Sequence, residues 1–268
     1  MSIRITLAGS TGWVGKALVA AIAASDDLVL AGAVSRGAAG QDAGEAAGLV
    51  TLGVPVSATL EEALQVPSDV VIDYTKPGAV KAHTMTALAR GRHVVVGTSG
   101  LSAEDYAEID RHALKAERGV LAAGNFSITA TLLRRFALEA ARYVPDVEVI
   151  DYASAKKPDT PSGTARELAE LLSEVRLPAT AKPIQDLTGV RETRGGSLGA
   201  REPVQVHSVR MPSFVLSCEA VFGADNERLV IRHDAGSSAA PYVAGTLLAA
   251  RRVPSFIGLK RGLDAVMD

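Results

Sequence analysis

The stretch Ile3-Arg4-Ile5-Thr6-Leu7-Ala8-Gly9-Ser10-Thr11-Gly12-Trp13-Val14-Gly15 decides the fold. Its first six residues alternate apolar and polar side chains as a short strand does. Glycines and small hydroxyl residues then open an amphipathic helical run over residues 12–24. Such a turn lets a pyrophosphate approach the backbone, where unpaired N–H groups and the positive end of the helix dipole receive it. Ser10 stands at the first glycine of the usual G-x-G-x-x-G spacing and Gly9 precedes it. Gly9, Ser10, Thr11, Gly12, Trp13 and Val14 are therefore candidate nucleotide contacts, with a tight turn that binds nothing as the alternative reading.

Working outward, the runs Leu28–Val34, Val70–Asp73, His93–Val96 and 120–122 read as strands, and 77–90 and 102–116 as helices. Ser102 is the N-cap of the last helix, and Asp105 completes a capping box in which Asp replaces the usual Glu. Strand-helix alternation of this period predicts the α/β class, with a Rossmann-like parallel sheet covered on both faces and a ligand at the carboxyl ends of its strands. An acidic residue after the second strand would bind a ribose 2′-OH and repel a 2′-phosphate; Ser35 and Arg36 stand there instead. NADPH is thus expected to be preferred, with NADH as the second cofactor and a solvated loop arginine as the alternative reading of Arg36. Gly97-Thr98-Ser99-Gly100 and Ala123-Gly124-Asn125-Phe126 follow the next strands, where they would line the same cleft or serve only as turns.

After Phe126 the texture changes. A helix over 128–143, a strand over 147–152 and a helix opening at Ser162 precede a long polar stretch, 176–203. Strand-like runs at 204–210, 214–222 and 228–233 follow, with Ala224-Asp225-Asn226 as a hairpin turn, and predict an antiparallel sheet segment. A helix over 241–251 and a final segment are expected to return to the first domain. The division expected is 1–126, completed by 240–268, for the nucleotide-binding domain and 127–239 for an α+β second domain.

The most specific stretch is Lys156-Lys157-Pro158-Asp159-Thr160-Pro161-Ser162-Gly163-Thr164-Ala165. It sets a lysine pair before a helix whose first turn is Ser-Gly-Thr, so that cations, hydroxyls and free N–H groups converge on one anion-sized spot suited to a carboxylate. A plain helix cap is the alternative.

Composition narrows the partners. Lys and Arg number 28 against 30 Asp and Glu, a net charge of -2, so no global positive excess points to nucleic acid or an anionic membrane. No apolar run approaches the ~20 residues that cross a bilayer, and the opening strand breaks too soon for a signal peptide. Cys218, the single cysteine, lies in an apolar run, which suits packing and a reducing cytoplasm. None of His83, His93, His112, His207 and His233 has metal-ligand spacing with an acidic partner on one helix, so no metal is expected.

With the glycine turn, Asp73-Tyr74-Thr75, Gly97-Thr98-Ser99-Gly100, Asn125-Phe126-Ser127, Pro161-Ser162-Gly163-Thr164-Ala165 and Arg228-Leu229-Val230-Ile231-Arg232-His233 in place, the chain resembles the dihydrodipicolinate reductase family nearly end to end. The resemblance implies a Rossmann-like domain, a second domain for substrate binding and oligomerisation on an open mixed sheet, and a cytoplasmic homotetramer using NADH or NADPH. It makes residues 9–14, Ser35, Arg36, Gly97, Thr98, Ser99, Ala123, Gly124, Asn125 and Phe126 the cofactor contacts. Gly163 and Thr164 become ligands of a small carboxylated substrate, joined by Ser162 on the reading of the Ser-Gly-Thr helix start, and Lys157 the catalytic proton donor. The family pattern H-H-x-x-K-x-D-x-P-S-G-T meets Ala153 and Ser154 where the histidines belong. Ser154 would then offer a neutral hydrogen bond, Lys156 a replacement cation, and His207 a replacement acid unless it is simply a partly buried sheet histidine. That departure leaves a paralogous reductase of another imine or carbonyl, and a catalytically inactive NADPH-binding protein, as alternative functions.

Overall fold

Val70-Val71-Ile72 and Val94-Val95-Val96 are buried side chain after side chain, with no polar face left over. Such strands are stable only in the middle of a sheet covered on both sides. The computed structural model describes residues 2–267. In chain order it runs β1 (Ile3–Ala8), α1 (Trp13–Ala23), β2 (Leu28–Val34), α2 (Ala43–Ala47), β3 (Val56–Ser57), α3 (Leu60–Ala63), β4 (Val70–Asp73), α4 (Pro77–Ala89), β5 (His93–Val96), α5 (Ala103–Ala116) and β6 (Gly119–Ala122). It continues with α6 (Ile128–Ala140), β7 (Asp146–Ser154), α7 (Gly163–Val175), β8 (Gly196–Leu198), β9 (Val204–Met211), β10 (Leu216–Ala224), β11 (Glu227–Ala235), α8 (Ala240–Arg252) and β12 (Gly258–Arg261). Two compact units result: residues up to Ile128 with those from Ser238 onward, and Thr129–Ser237.

The first unit is a seven-stranded sheet in the order β12-β6-β5-β4-β1-β2-β3, parallel at every pairing. Leu18, Val19 and Ile22 of α1 with Leu247, Ala249 and Ala250 of α8 cover one face. Val80, Ala87 and Leu88 of α4 with Ile109 and Ala113 of α5 cover the other. The order turns back at β1, so the carboxyl ends of β1 and β4 flank the switch point where such sheets take their ligands. The capping box of α5 is present, Asp105 N–H donating to Ser102 Oγ at 3.1 Å and Ser102 N–H to the Asp105 carboxylate at 2.9 Å. The edge strands β3 and β12 escape the sequence reading because β3 has only two residues and β12 ends in the exposed Lys260 and Arg261, so neither offers an apolar run.

The second unit carries a five-stranded sheet in the order β11-β10-β7-β9-β8. Here the expected antiparallel run of three consecutive strands is corrected. β10 and β11 form the antiparallel hairpin, with Asn226 in the left-handed region at φ 63°, but β9 lies parallel to β7, and β7 separates it from β10. Helix α7 makes β7-α7-β9 a crossover unit, and parallel pairing needs such a connection. Side chains of β7 alternate strictly, with Val147, Val149, Asp151 and Ala153 buried. Leu133 and Ala137 of α6 and Leu168, Ala169 and Leu172 of α7 pack in the same core as Val147 and Val149. Cys218 is buried there too, and burial pushes its thiol up to about 12. Among the described residues, no helix is long and apolar enough to cross a membrane.

Candidate active site

The glycine turn folds as a backbone cradle. Gly9 and Ser10 N–H groups both donate to Val34 O, at 3.0 and 3.2 Å, and Gly12 N–H donates to Gly9 O at 3.0 Å. Gly9 sits at φ 86°, where a Cβ would press on the Tyr74 carbonyl, and a Cβ on Gly15 would fall on the Gly9 carbonyl. Gly12 is the N-cap of α1 and supplies no side-chain acceptor. First-turn N–H groups have no intrahelical partner, so this helix start offers them to an anion. Thr11 Oγ1 and Ser35 Oγ share a hydrogen bond of 2.6 Å, which ties the turn to the end of β2 beside the exposed Arg36. Trp13 is exposed, with its ring edge-on to Tyr242 at 5.7 Å. One residue departs from expectation: Ser10 is buried and its hydroxyl donates to Val34 O, so its side chain braces β2 rather than facing a ligand. A nucleotide cofactor fits these residues, since the cradle is one that side chains would fill and the helix start lacks a cap of its own.

Tyr74 gathers the other loops. A Cβ on Gly97 would lie within its ring, the Phe126 ring packs against it at 6.1 Å, and its hydroxyl bonds Thr246 Oγ1 at 2.7 Å. Burial raises its phenol well above the ordinary range. Phe126 is itself buried in the core, which leaves its backbone for the cofactor contact expected of it. Ala123 N–H donates to Val96 O at 3.2 Å, and Asn125 Oδ1 accepts Ser127 N–H at 2.8 Å, which fixes the loop around the exposed Gly124. Ser99 is exposed.

Beside Tyr74, the wholly buried Asp73 accepts Thr75 N–H at 2.9 Å, Thr75 Oγ1 at 2.7 Å, Thr98 Oγ1 at 3.0 Å and His83 Nδ1 at 2.7 Å. Burial alone would raise the Asp73 carboxyl, but His83 and the Thr75 donors outweigh it and hold it below the usual range. The Asp73 hydrogen bond in turn raises His83 against its desolvation. A histidine raised on folding stabilises fully below its unfolded value of 6.5, and that stability is lost as pH rises through the higher folded value. His83→Gln is therefore expected to cost about 1.5–3 kcal/mol at pH 6 and clearly less at pH 9, read from urea melts at the two pH values; equal losses would dismiss the charged pair.

In the second unit, Lys157 Nζ pairs with Asp159 Oδ1 at 2.8 Å, and this bond holds the Asp159 carboxyl below its ordinary value. Lys157 N–H donates to Ser154 O at 2.9 Å and Lys156 N–H to Ser154 Oγ at 3.3 Å, while the Lys156 side chain is exposed. Gly163 and Thr164 form the first turn of α7; Gly163 is exposed with open space beside it. Ser162, expected among the substrate ligands, is 1% exposed. Its hydroxyl donates to Asp151 Oδ1 at 2.6 Å and accepts Ala165 N–H at 3.4 Å, so it builds the helix start and does not line it. Ala153 is wholly buried. His207 Nε2 donates to Glu148 Oε2 at 2.7 Å, beside an Arg194–Glu148 ion pair, and its register partner is Ile150, four residues before Ser154 on β7. That is a sheet histidine held by a carboxylate, not a replacement acid.

Sequence reasoning passed over Asp73, His83, Asp151 and Arg210. The signal for both aspartates was present: Asp73 ends an apolar run buried at every position, Asp151 sits at a buried position of an alternating strand, and a buried carboxylate needs donors. Arg210 Nη2 donates to Asp151 Oδ2 at 2.7 Å. Among the described residues, no group of three or more His, Cys, Asp or Glu converges as a metal site would require.

Comparison with known proteins agrees across the whole chain. The model of the dihydrodipicolinate reductase N-terminus matches residues 3–126, and that of the C-terminus matches residues 129–263. A 4-hydroxy-tetrahydrodipicolinate reductase of Synechococcus elongatus is 38% identical, covering 99% of this chain and 98% of that protein. One of Desulfitobacterium hafniense is 35% identical, covering 99% of each. A dihydrodipicolinate reductase from Paenisporosarcina sp. TG-14, solved with dipicolinate bound, superposes with a TM-score of 0.88 at 29% identity, covering 100% of both chains. An amine dehydrogenase from Mycobacterium smegmatis, TM-score 0.66 at 16% identity, shares the fold. On the two family models and the full-length relatives, the chain belongs to the dihydrodipicolinate reductase family.

Proposed function

We propose that this protein reduces 4-hydroxy-tetrahydrodipicolinate to tetrahydrodipicolinate for lysine and diaminopimelate biosynthesis, using NADPH in preference to NADH; the 4-hydroxyl leaves as water, and the conjugated double bond so formed takes up hydride and a proton. The observation that carries the reading is the Lys157 ammonium on the short loop leading to the uncapped N–H groups of Gly163 and Thr164. A carboxylate is held at that helix start by the two N–H groups and the Thr164 hydroxyl, and the exposed Lys156 adds positive charge beside it. Lys157 Nζ then protonates the atom on which negative charge develops. The nicotinamide supplies the hydride when bound. Dipicolinate in the Paenisporosarcina relative is a planar ring with two carboxylates, which supports this substrate class. The family likeness extends the reading to a cytoplasmic homotetramer.

The test is to generate the pathway intermediate in situ and follow loss of reduced-cofactor absorbance, beside a panel of cyclic imines and 2-oxo acids. Rapid oxidation with the pathway intermediate is expected. Turnover confined to another imine would reassign the substrate, and tight NADPH binding with no turnover would remove catalysis.

Cofactor preference has its own check. Ser35 and Arg36 follow β2 with no carboxylate between them and the sheet, an arrangement suited to a 2′-phosphate. A charge-assisted hydrogen bond contributes about 1.5–3 kcal/mol. Arg36→Ala should therefore raise KM for NADPH about 10- to 100-fold and barely move KM for NADH; an equal rise for both would assign Arg36 to the loop alone.

A further inference from the structure

The geometry points to Asp151 and Arg210 as a positioning pair that fixes the substrate-facing end of α7 and the Lys157 loop to the sheet. This rests on the functional reading above. Residues 158–160 are exposed, so apolar packing does not hold that loop. Polar contacts hold it instead. Asp151 lies mid-sheet on β7, wholly buried, and accepts Ser162 N–H at 2.8 Å, Ser162 Oγ at 2.6 Å, Ser208 Oγ at 3.3 Å and Arg210 Nη2 at 2.7 Å. The same Arg210 Nη2 reaches out to Asp159 O at 2.7 Å, and Nη1 donates to Val209 O at 3.0 Å. One carboxylate and one guanidinium thus pin two points of the loop: the N-cap, from which the Gly163 and Thr164 N–H groups project, and the backbone of the residue that pairs with Lys157.

A purely structural account fits less well. Burying a charged pair is costly, and well-packed apolar residues of similar volume are often as stable or more so. Here β7 turns its one buried charge to the helix start that would receive substrate, while its other buried side chains are apolar. Such a pair keeps its value by holding geometry, since a displacement of about 1 Å can cost about 10²-fold in rate.

The experiment is Asp151→Asn in the full-length protein, with Arg210→Lys as the second variant should the first not fold. Read-outs are kcat and KM for the pathway intermediate, KM for NADPH, dipicolinate affinity by calorimetry, and the melting temperature. Expected is a loss of about 10- to 100-fold in kcat/KM for substrate, a parallel weakening of dipicolinate binding, and an unchanged KM for NADPH in the folded variant. The double variant should lose little more than either single one, because the two residues act as a unit. A folded variant within twofold of wild type in kcat/KM and dipicolinate affinity overturns the positioning role alone. A wild-type protein that neither turns over the intermediate nor binds dipicolinate overturns the functional reading, and the positioning role with it.

Discussion

Replacing Lys157 by alanine is expected to lower kcat by about 10²–10⁴-fold while the Kd for NADPH and the melting temperature stay close to wild type. The two halves of that expectation have separate causes. Lys157 and Asp159 side chains are 32% and 48% exposed, and ion pairs so open to water contribute about 0–1 kcal/mol to folding. The fold therefore loses little with the ammonium. On the function proposed for this site, the reaction loses its proton donor and a cation near the carboxylate, neither of which water replaces with the same geometry. Lys157→Arg separates the two roles: guanidinium keeps the charge but does not release a proton at neutral pH, so KM for substrate should recover while kcat stays low. A kcat within threefold of wild type in Lys157→Ala, measured by steady-state absorbance, would take Lys157 out of the proton transfer.

What the sequence disclosed and what it withheld divide along a physical line. Strands buried on both faces announce themselves by unbroken apolar runs, such as Val70-Val71-Ile72 and Val94-Val95-Val96, and the glycine turn does so because its spacing serves a backbone approach. Partner choice between strands is a different matter. Nothing in the composition of Val204–Met211 says that it pairs with β7 and not with the strand that follows it, since pairing is set by the crossover through α7. The residues that hold the site were hidden for a related reason. Asp151 and Arg210 are 59 positions apart, and only folding brings them to hydrogen-bonding distance. Ser162 was legible as a cap but misread as a ligand, because the donor that matters is its buried hydroxyl, and its acceptor lies eleven residues back on β7.

The absent histidines bear on the same point. With Ala153 wholly buried and the Ser154 hydroxyl accepting Lys156 N–H, the positive charge on this loop rests on Lys156 and Lys157 alone among residues 153–160. On the function proposed, the orientation of Lys157 then matters without a neighbouring imidazole beside it, which gives the tether from Arg210 to the Asp159 backbone its leverage.

In the first unit, Gly9→Ala should be severely damaging to the nucleotide turn. Gly9 holds φ 86°, a conformation that strains any residue with a Cβ by about 1–3 kcal/mol. The added methyl would also meet the Tyr74 carbonyl, which is backbone and cannot rotate away. Retreat is blocked on both sides, because Tyr74 N–H donates to Ala8 O at 2.9 Å and Gly9 N–H to Val34 O at 3.0 Å; moving either strand end breaks a bond of the central ladder. Overpacking adds about 1–3 kcal/mol more, and each kcal/mol lowers the melting temperature of a unit this size by about 2–4 °C. A drop of roughly 5–20 °C is expected on those terms, with nucleotide affinity falling as the Gly12 end of the turn is displaced. Gly124→Ala is the control, since a Cβ there meets open space; it should leave the melting temperature unchanged. If Gly9→Ala melts within 2 °C of wild type and binds NADPH as well, the turn yields where this structure shows it held, and the close approach of β1 to β4 is not what shapes the cradle.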